Sequence, residues 1–245
     1  MLIHKNMTMA GVIHSNYLLL TVLYRFNISL GFGDKTIEEV CNDRQINVDF
    51  FVEILNSYHD ADYFPRQRLQ IFPVEVLVDY IRSTHSDYLD NRLPDLESKI
   101  RSLSESCSEK NRKNLVLLED FFGGYKTELI SHIKREEDKV LPYILEIGVA
   151  YRERKSTSKL LNEIKTYSID DYANEHEDVE DKLFDLKNIM IKYLPPVNNN
   201  FLCHSILIEI FRLEKDLNNH ARIEDKVLVP KVRLMEKEIL NLPVK

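Results

Sequence analysis

Two segments of the chain, 88 residues apart, carry the same pattern. His132-Ile-Lys-Arg-Glu136-Glu-Asp-Lys-Val-Leu-Pro142 is echoed by His220-Ala-Arg-Ile-Glu224-Asp-Lys-Val-Leu-Val-Pro230. Each holds a His and a Glu four positions apart, so a helix places both on one face, one turn from each other. Imidazole nitrogen and carboxylate oxygen are donors that divalent iron, manganese and zinc accept. One such pair is ordinary decoration on a surface helix. Two copies with matching flanks point to a metal site.

The rest of the composition suits helices. Hydrophobic residues make up 44% of the 245 and charged residues 30%, with 6 Gly, 8 Pro and no Trp. That fits a soluble, mostly helical protein large enough to bury a core. The net charge of −7 argues against a nucleic-acid binder with a large basic face. Cys41, Cys107 and Cys203 form no CxxC and read as reduced thiols of a cytosolic protein. The early apolar run, Tyr17 to Tyr24, is far short of the roughly 20 residues a membrane span needs. It also lacks the basic start and small-residue cleavage site of a signal peptide. The expected location is the cytoplasm, away from membranes.

The chain divides into a small helical N-terminal domain (1–58), a linker (59–73) and a helical bundle (74–245). Asp34-Lys-Thr-Ile-Glu-Glu-Val-Cys41 predicts a short helix capped by Asp34 or Thr36. The stretch from Asn47 to Leu55 predicts another. Gly31-Phe-Gly33 marks a turn before them. This helix-turn-helix shape reads as a packing unit, because no basic cluster accompanies it. From Val74 onward, long amphipathic segments predict helices near 74–104, 111–147, 156–193 and 201–240, the third irregular around Tyr167–Tyr172. Short connections between them predict an all-α fold, a four-helix up-down-up-down bundle.

An antiparallel hairpin brings together residues equally distant from its turn. The point midway between His85 and His132 falls in the polar stretch Ser104–Lys110. The point midway between His176 and His220 falls in Pro195–Asn200. Each hairpin therefore pairs a lone His with a His-x3-Glu, and all four imidazoles fall at the bundle end opposite those loops. His85, His132, Glu136, His176, His220 and Glu224 exceed the needs of one tetrahedral zinc. They suit two metals, each with two imidazoles, bridged by both carboxylates, with an oxo or hydroxo bridge offsetting the remaining charge. Glu180 lies four after His176, but its pseudo-symmetric counterpart is Leu89, which argues against it. His204 is too far along its helix, and His4, His14 and His59 fall outside the bundle. Glu128, one turn before His132, and Glu175, beside His176, read equally well as carboxylates near the metals or as solvated helix charges.

These residues resemble the hemerythrin-like (HHE) cation-binding family. More closely, they resemble the repair-of-iron-centres proteins, di-iron proteins linked to nitrosative and oxidative damage of iron–sulfur clusters. The resemblance covers 74–240. It rests on His132-x3-Glu136-Glu with a following Leu-Pro, on Glu175-His176, and on His220-x3-Glu224 with a following Pro. It implies a hemerythrin-like bundle holding two non-haem irons on the six residues named above, with zinc or manganese able to load in recombinant protein. It also gives Glu128 and Glu175 counterparts near the route to the metals, where they would relay protons. Oxygen-carrying hemerythrins use five His, so this set looks less like an oxygen carrier. Residues 1–58 resemble the family's small N-terminal domain without its adjacent Cys-Cys; the corresponding stretch, Asn27–Asp34, holds no thiol. The resemblance thus implies a di-iron protein that handles nitric oxide or peroxide, or supports repair of damaged iron–sulfur centres, with iron–sulfur proteins as partners. One rival is a sensor of O2 or nitric oxide that signals through the N-terminal domain. Another is a regulator reading DNA with residues 34–55, which the charge of −7 weighs against.

Overall fold

The computed structural model describes residues 1–106, 109–174, 181–197 and 199–242. The regular elements among the described residues are all helical, and the β-structure found among them is an isolated bridge between Thr8 and Thr36. None of these helices is long and apolar enough to cross a membrane.

The N-terminal helices begin where side chains satisfy the first backbone N–H groups. Thr8 Oγ1 accepts from Gly11 N at 3.2 Å to start Met9–Ser15. Thr36, not Asp34, starts Ile37–Asp43. Its hydroxyl accepts from Glu39 N at 3.2 Å while Glu39 Oε2 accepts from Thr36 N at 2.8 Å, a capping box. Asn47 caps Val48–His59 through Phe50 N. Gly31 and Gly33 have φ of +95° and +60°, a conformation that glycine adopts without strain, so Gly31-Phe-Gly33 is a turn.

The chain forms two compact units. The first joins Met1–Thr84 to Leu145–Thr166 and Arg222–Lys245. At its heart is an aromatic cluster. Phe26 meets Phe51 edge-on at 4.9 Å and lies 5.5 Å from Tyr80, and Phe50 meets Phe72 at 5.1 Å. The stretch read as a linker is therefore built into this unit: Phe72 is in the cluster, and Leu69, on the short helix Arg66–Leu69, is fully buried. Arg152 reaches Glu75 at 2.5 Å, and Lys231 Nζ donates to Gln70 O at 2.8 Å. A Cβ added at Gly148 would lie 2.5 Å from Val74 Cγ2, so this approach needs glycine.

The second unit comprises His85–Ile144 and Tyr167–Ala221. Leu93–Glu105, Glu109–Arg135, Asp181–Asn188 and Asn200–Ile223 are its longer helices. Their inward stripes recur at helical spacing, as in Ile206, Ile210, Leu213 and Leu217, and make one apolar core with Leu96, Ile100, Leu118, Phe122, Leu183 and Leu186. The third predicted helix is interrupted between Ser158–Thr166 and Ile169–Asn174, and past residues 175–180, which lie outside the described residues, the chain is helical at Asp181–Asn188. The interruption falls at Ser168, whose hydroxyl and backbone N–H both donate to Asp171 Oδ2 and so start a new helix.

Wide π turns interrupt the long helices at Tyr88–Arg92, Glu136–Val140, Ile189–Tyr193 and Glu224–Leu228. Each begins six residues before a proline: Pro94, Pro142, Pro195 and Pro230. Proline has no N–H, and in an α-helix its ring strikes the carbonyl four residues back. The wider turn removes that conflict. Leu93, Leu141 and Val229, each just ahead of its proline, donate instead to the carbonyl five residues back, on Tyr88, Glu136 and Glu224. The helix then continues. At Pro195 it ends, with Leu194 extended.

Candidate metal centre

Glu136 opens one of these π turns and is buried, with 1% of its surface exposed. Its carboxylate lies between two imidazoles: Oε1 is 3.2 Å from His132 Nε2 and Oε2 is 3.2 Å from His85 Nε2. His132 is one turn back on the same helix. His85 arrives near the end of Val74–Asp87. Burial opposes charge on Glu136, but the hydrogen bonds with His132 and His85 outweigh it and hold the carboxyl well below the usual range. His220, near the end of Asn200–Ile223, brings its Nε2 to 3.3 Å from His85 Nε2. Tyr88 packs edge-on to the His220 ring.

Groups around this cluster fix its geometry. Glu137 Oε1 lies 2.7 Å from His85 Nδ1, so an N–H there donates to the carboxylate. In the neutral ring that leaves the lone pair on Nε2, the atom facing Glu136 and His220. A lone pair held 3.2 Å from a carboxylate and 3.3 Å from another imidazole needs a proton or a cation between them. A carboxylate behind a ligating histidine is the common supporting arrangement at metal sites. Tyr172, itself buried, donates its hydroxyl to Glu136 Oε1, and the Arg135 guanidinium lies 5.7 Å from the Tyr172 ring centre.

Ligand atoms of His85, Glu136 and His220 lie within 4.8 Å of one another, and all three residues are buried. Two imidazoles and a carboxylate, converging in a dry environment with a committed tautomer, fit a divalent first-row metal. Glu224 follows His220 by one turn of the same continuous helix, opens the next π turn and is 3% exposed. His85, His132, Glu136 and His220 are thus brought together. His176 and Glu175 lie outside the described residues, as does Glu180. Glu128 is on the exposed side of its helix and pairs with Lys182. His4, His14 and His204 are exposed, and half-buried His59 bonds Asn16 at 3.3 Å.

Sequence reasoning missed Glu137, Tyr172 and Asp216. Asp216 stands one turn before His220, as Glu128 stands before His132, but it is buried. Applying the Glu128 offset to the second copy of the repeat finds it. Nothing in the sequence singles out Tyr172, because its contact with Glu136 depends on where the broken third helix restarts.

Comparison with known proteins finds distant similarity along most of the chain. Over 201 residues, 82% of this chain and 85% of the relative, the sequence is 20% identical to the iron-sulfur cluster repair protein ScdA of Staphylococcus epidermidis, in each of two strains. Over 199 residues, 81% of this chain and 85% of the relative, it is 17% identical to ScdA of Staphylococcus haemolyticus. The chain is thus distantly similar to proteins named as iron–sulfur cluster repair proteins. The similarity runs through most of both chains, so it takes in helices well beyond the histidine segments. No family model matches the sequence.

Proposed function

We propose that this protein is a non-haem di-iron protein supporting the repair of iron–sulfur centres damaged by nitric oxide or peroxide. In this reading residues 74–245 form a hemerythrin-like four-helix bundle, and residues 1–58 a small N-terminal domain. His85, His132, His176 and His220 would supply imidazoles to hold the metal, and Glu136 and Glu224 carboxylates. The observation that carries it is the buried convergence of His85, His132, Glu136 and His220, with Glu137 fixing the His85 tautomer. The ScdA relatives supply the iron–sulfur context.

Bound iron would supply one-electron redox capacity and Lewis acidity. The chain's own residues hold and orient. Glu137 keeps His85 Nε2 turned toward Glu136, Tyr172 fixes one oxygen of Glu136 by donating to it, and the surrounding apolar residues keep bulk water out. Proton delivery falls to polar side chains beside the ligands: Glu175 in the resemblance and Asp216 by its burial.

The test is anaerobic reconstitution with ferrous iron, followed by metal analysis and incubation with an enzyme whose [4Fe–4S] cluster has been destroyed by nitric oxide. Two irons per chain and recovery of the target's activity are expected. One iron or none would overturn the two-metal reading. Two irons without recovery of the damaged target would overturn the repair role and leave the metal site standing.

A further inference from the structure

Pro230 has no N–H, so the carbonyl four residues back, that of Lys226, lacks the donor an α-helix would give it. Lys226 is the middle residue of the π turn Glu224–Leu228. Backbone carbonyls deprived of a helical partner find donors elsewhere. Here the donor comes from a distant part of the chain: Gln70 Nε2 donates to Lys226 O at 3.4 Å. A return contact lies just past the proline, where Lys231 Nζ donates to Gln70 O at 2.8 Å. Ahead of Glu224, the Arg222 guanidinium lies 4.6 Å from the Phe64 ring centre, within cation–π range. The segment 63–71 therefore grips this helix at 222, 226 and 231, on both sides of the glutamate.

One buried carboxylate holds the segment from its other side. Glu53, on the helix Val48–His59, accepts from the Tyr63 hydroxyl at 2.7 Å and meets Arg68 Nη1 at 2.9 Å, one oxygen for each. The segment thus connects an N-terminal helix to the turn that opens with Glu224, all within the first compact unit. Register makes the connection matter. One residue of shift along a helix turns a side chain by about 100° around the axis. A glutamate so displaced no longer shares a face with the histidine four positions earlier. Whatever keeps the π turn in register therefore keeps Glu224 on the face of His220.

We propose that residues 63–71 are a strap that fixes the register of the Glu224 turn, with Gln70 as a positioning residue for the Glu224 carboxylate. This role rests on Glu224 being a metal ligand. Through the strap, the N-terminal helices act on the metal centre without donating a ligand to it.

The experiment compares wild type, Gln70→Glu, Gln70→Arg, Phe64→Leu and Gln67→Glu as full chains. Gln70→Glu keeps the size and removes the donor, and Gln70→Arg restores a donor. Gln67→Glu adds the same charge at an exposed position on the short helix Arg66–Leu69. Two quantities are read: ferrous iron affinity, by anaerobic competition with a chelator, and amide hydrogen exchange of the metal-free protein over 222–232, with 132–142 as reference. Gln70→Glu should bind iron about 10-fold or more weakly, as loss of a group that orients a metal ligand does, and exchange faster at 222–232 alone. Phe64→Leu should move both in the same direction by about threefold, the worth of a cation–π contact. Gln70→Arg and Gln67→Glu should match wild type. Wild type that takes up no iron would overturn the metal-centre reading and the strap's role with it. Wild type that loads iron while Gln70→Glu loads it as tightly would overturn the strap's role alone. So would faster exchange at 222–232 with unchanged affinity, an equal rise at 132–142, or a loss of affinity that Gln67→Glu reproduces.

Discussion

At the scale of single residues, the site separates carboxylates by burial. Glu136 is buried between two imidazoles, whereas Glu128, one turn before His132, is 48% exposed and pairs with Lys182. On the proposed di-iron reading, Glu136→Ala should abolish the paired site, because two close cations in a dry site need the anion. Glu128→Ala should keep both irons and change stability by about 1 kcal/mol or less, the range of exposed ion pairs. Iron analysis beside thermal melts distinguishes them. Tyr172→Phe removes a donor to a buried carboxylate and should destabilise the metal-free protein by about 1.5–3 kcal/mol in urea unfolding. Acid titration gives a further check. Since the folded-state pKa of Glu136 lies below 4.5, its contribution is present above that pH and lost as the pH falls through the lower folded value. The stability gap between wild type and Glu136→Gln, metal-free, should be constant above about pH 5 and close at lower pH. The nearness of His85, His132, Glu136 and His220 was legible because helical register and loop midpoints are arithmetic on residue numbers. Glu137 and Tyr172 were not legible, since their contacts depend on rotamers and on a helix break.

Helices supply the next scale, and the sequence carries a rule there that was only half read. The prolines after both His-x3-Glu copies were visible as matching flanks. Their physical consequence is a π turn that starts at Glu136 and at Glu224. Such turns are rare and concentrate at functional sites. The extra residue rotates the helix beyond the carboxylate by about a quarter turn, so each glutamate stands where two differently phased helical surfaces meet. Tyr88–Arg92 before Pro94 does the same just after His85. Pro142→Ala would let Glu136–Val140 relax to an α-helix. It should stabilise the metal-free protein by about 1–3 kcal/mol, the scale on which proline disfavours a helix interior, while iron affinity falls as Glu136 loses its phase. Unfolding of the metal-free protein and iron titration measure the two halves. Higher stability with unchanged iron affinity would show the π turn to be a packing accommodation alone. Long amphipathic segments were readable as helices because their apolar period persists for several turns. The interruption at Ser168 falls in the stretch Tyr167–Tyr172 that reads as irregular, whereas the π turns were not readable, since a period count passes over a one-residue shift.

For the whole molecule, the division along the sequence and the division in space answer different questions. Read along the sequence, residues 1–58 are a small helical domain joined by a linker at 59–73. In the structure the first compact unit also takes in Leu145–Thr166 and the C-terminal stretch from Arg222. A linear reading has no access to this, because Phe64 stacking under Arg222 at 4.6 Å, or Lys231 reaching Gln70 O, joins residues more than 150 positions apart. The clearest consequence is for truncation. If residues 1–58 were an independent module, their removal would leave metal content and helicity intact. Here Phe26 packs against Tyr80 and Phe50 against Phe72 and Tyr80, so their removal uncovers two aromatics and the faces around them. Deleting 1–58 should therefore yield a chain that aggregates or melts at markedly lower temperature, even though no proposed metal ligand lies in the deleted segment. Phe50→Ala tests the same packing without deletion. It empties a buried ring position and should cost about 3–5 kcal/mol, with iron content per folded chain unchanged at a temperature well below the melt. If the truncated chain stayed soluble, melted like the full protein and held its iron, the aromatic cluster would be dispensable, and residues 1–58 would be the separable module that the linear reading describes.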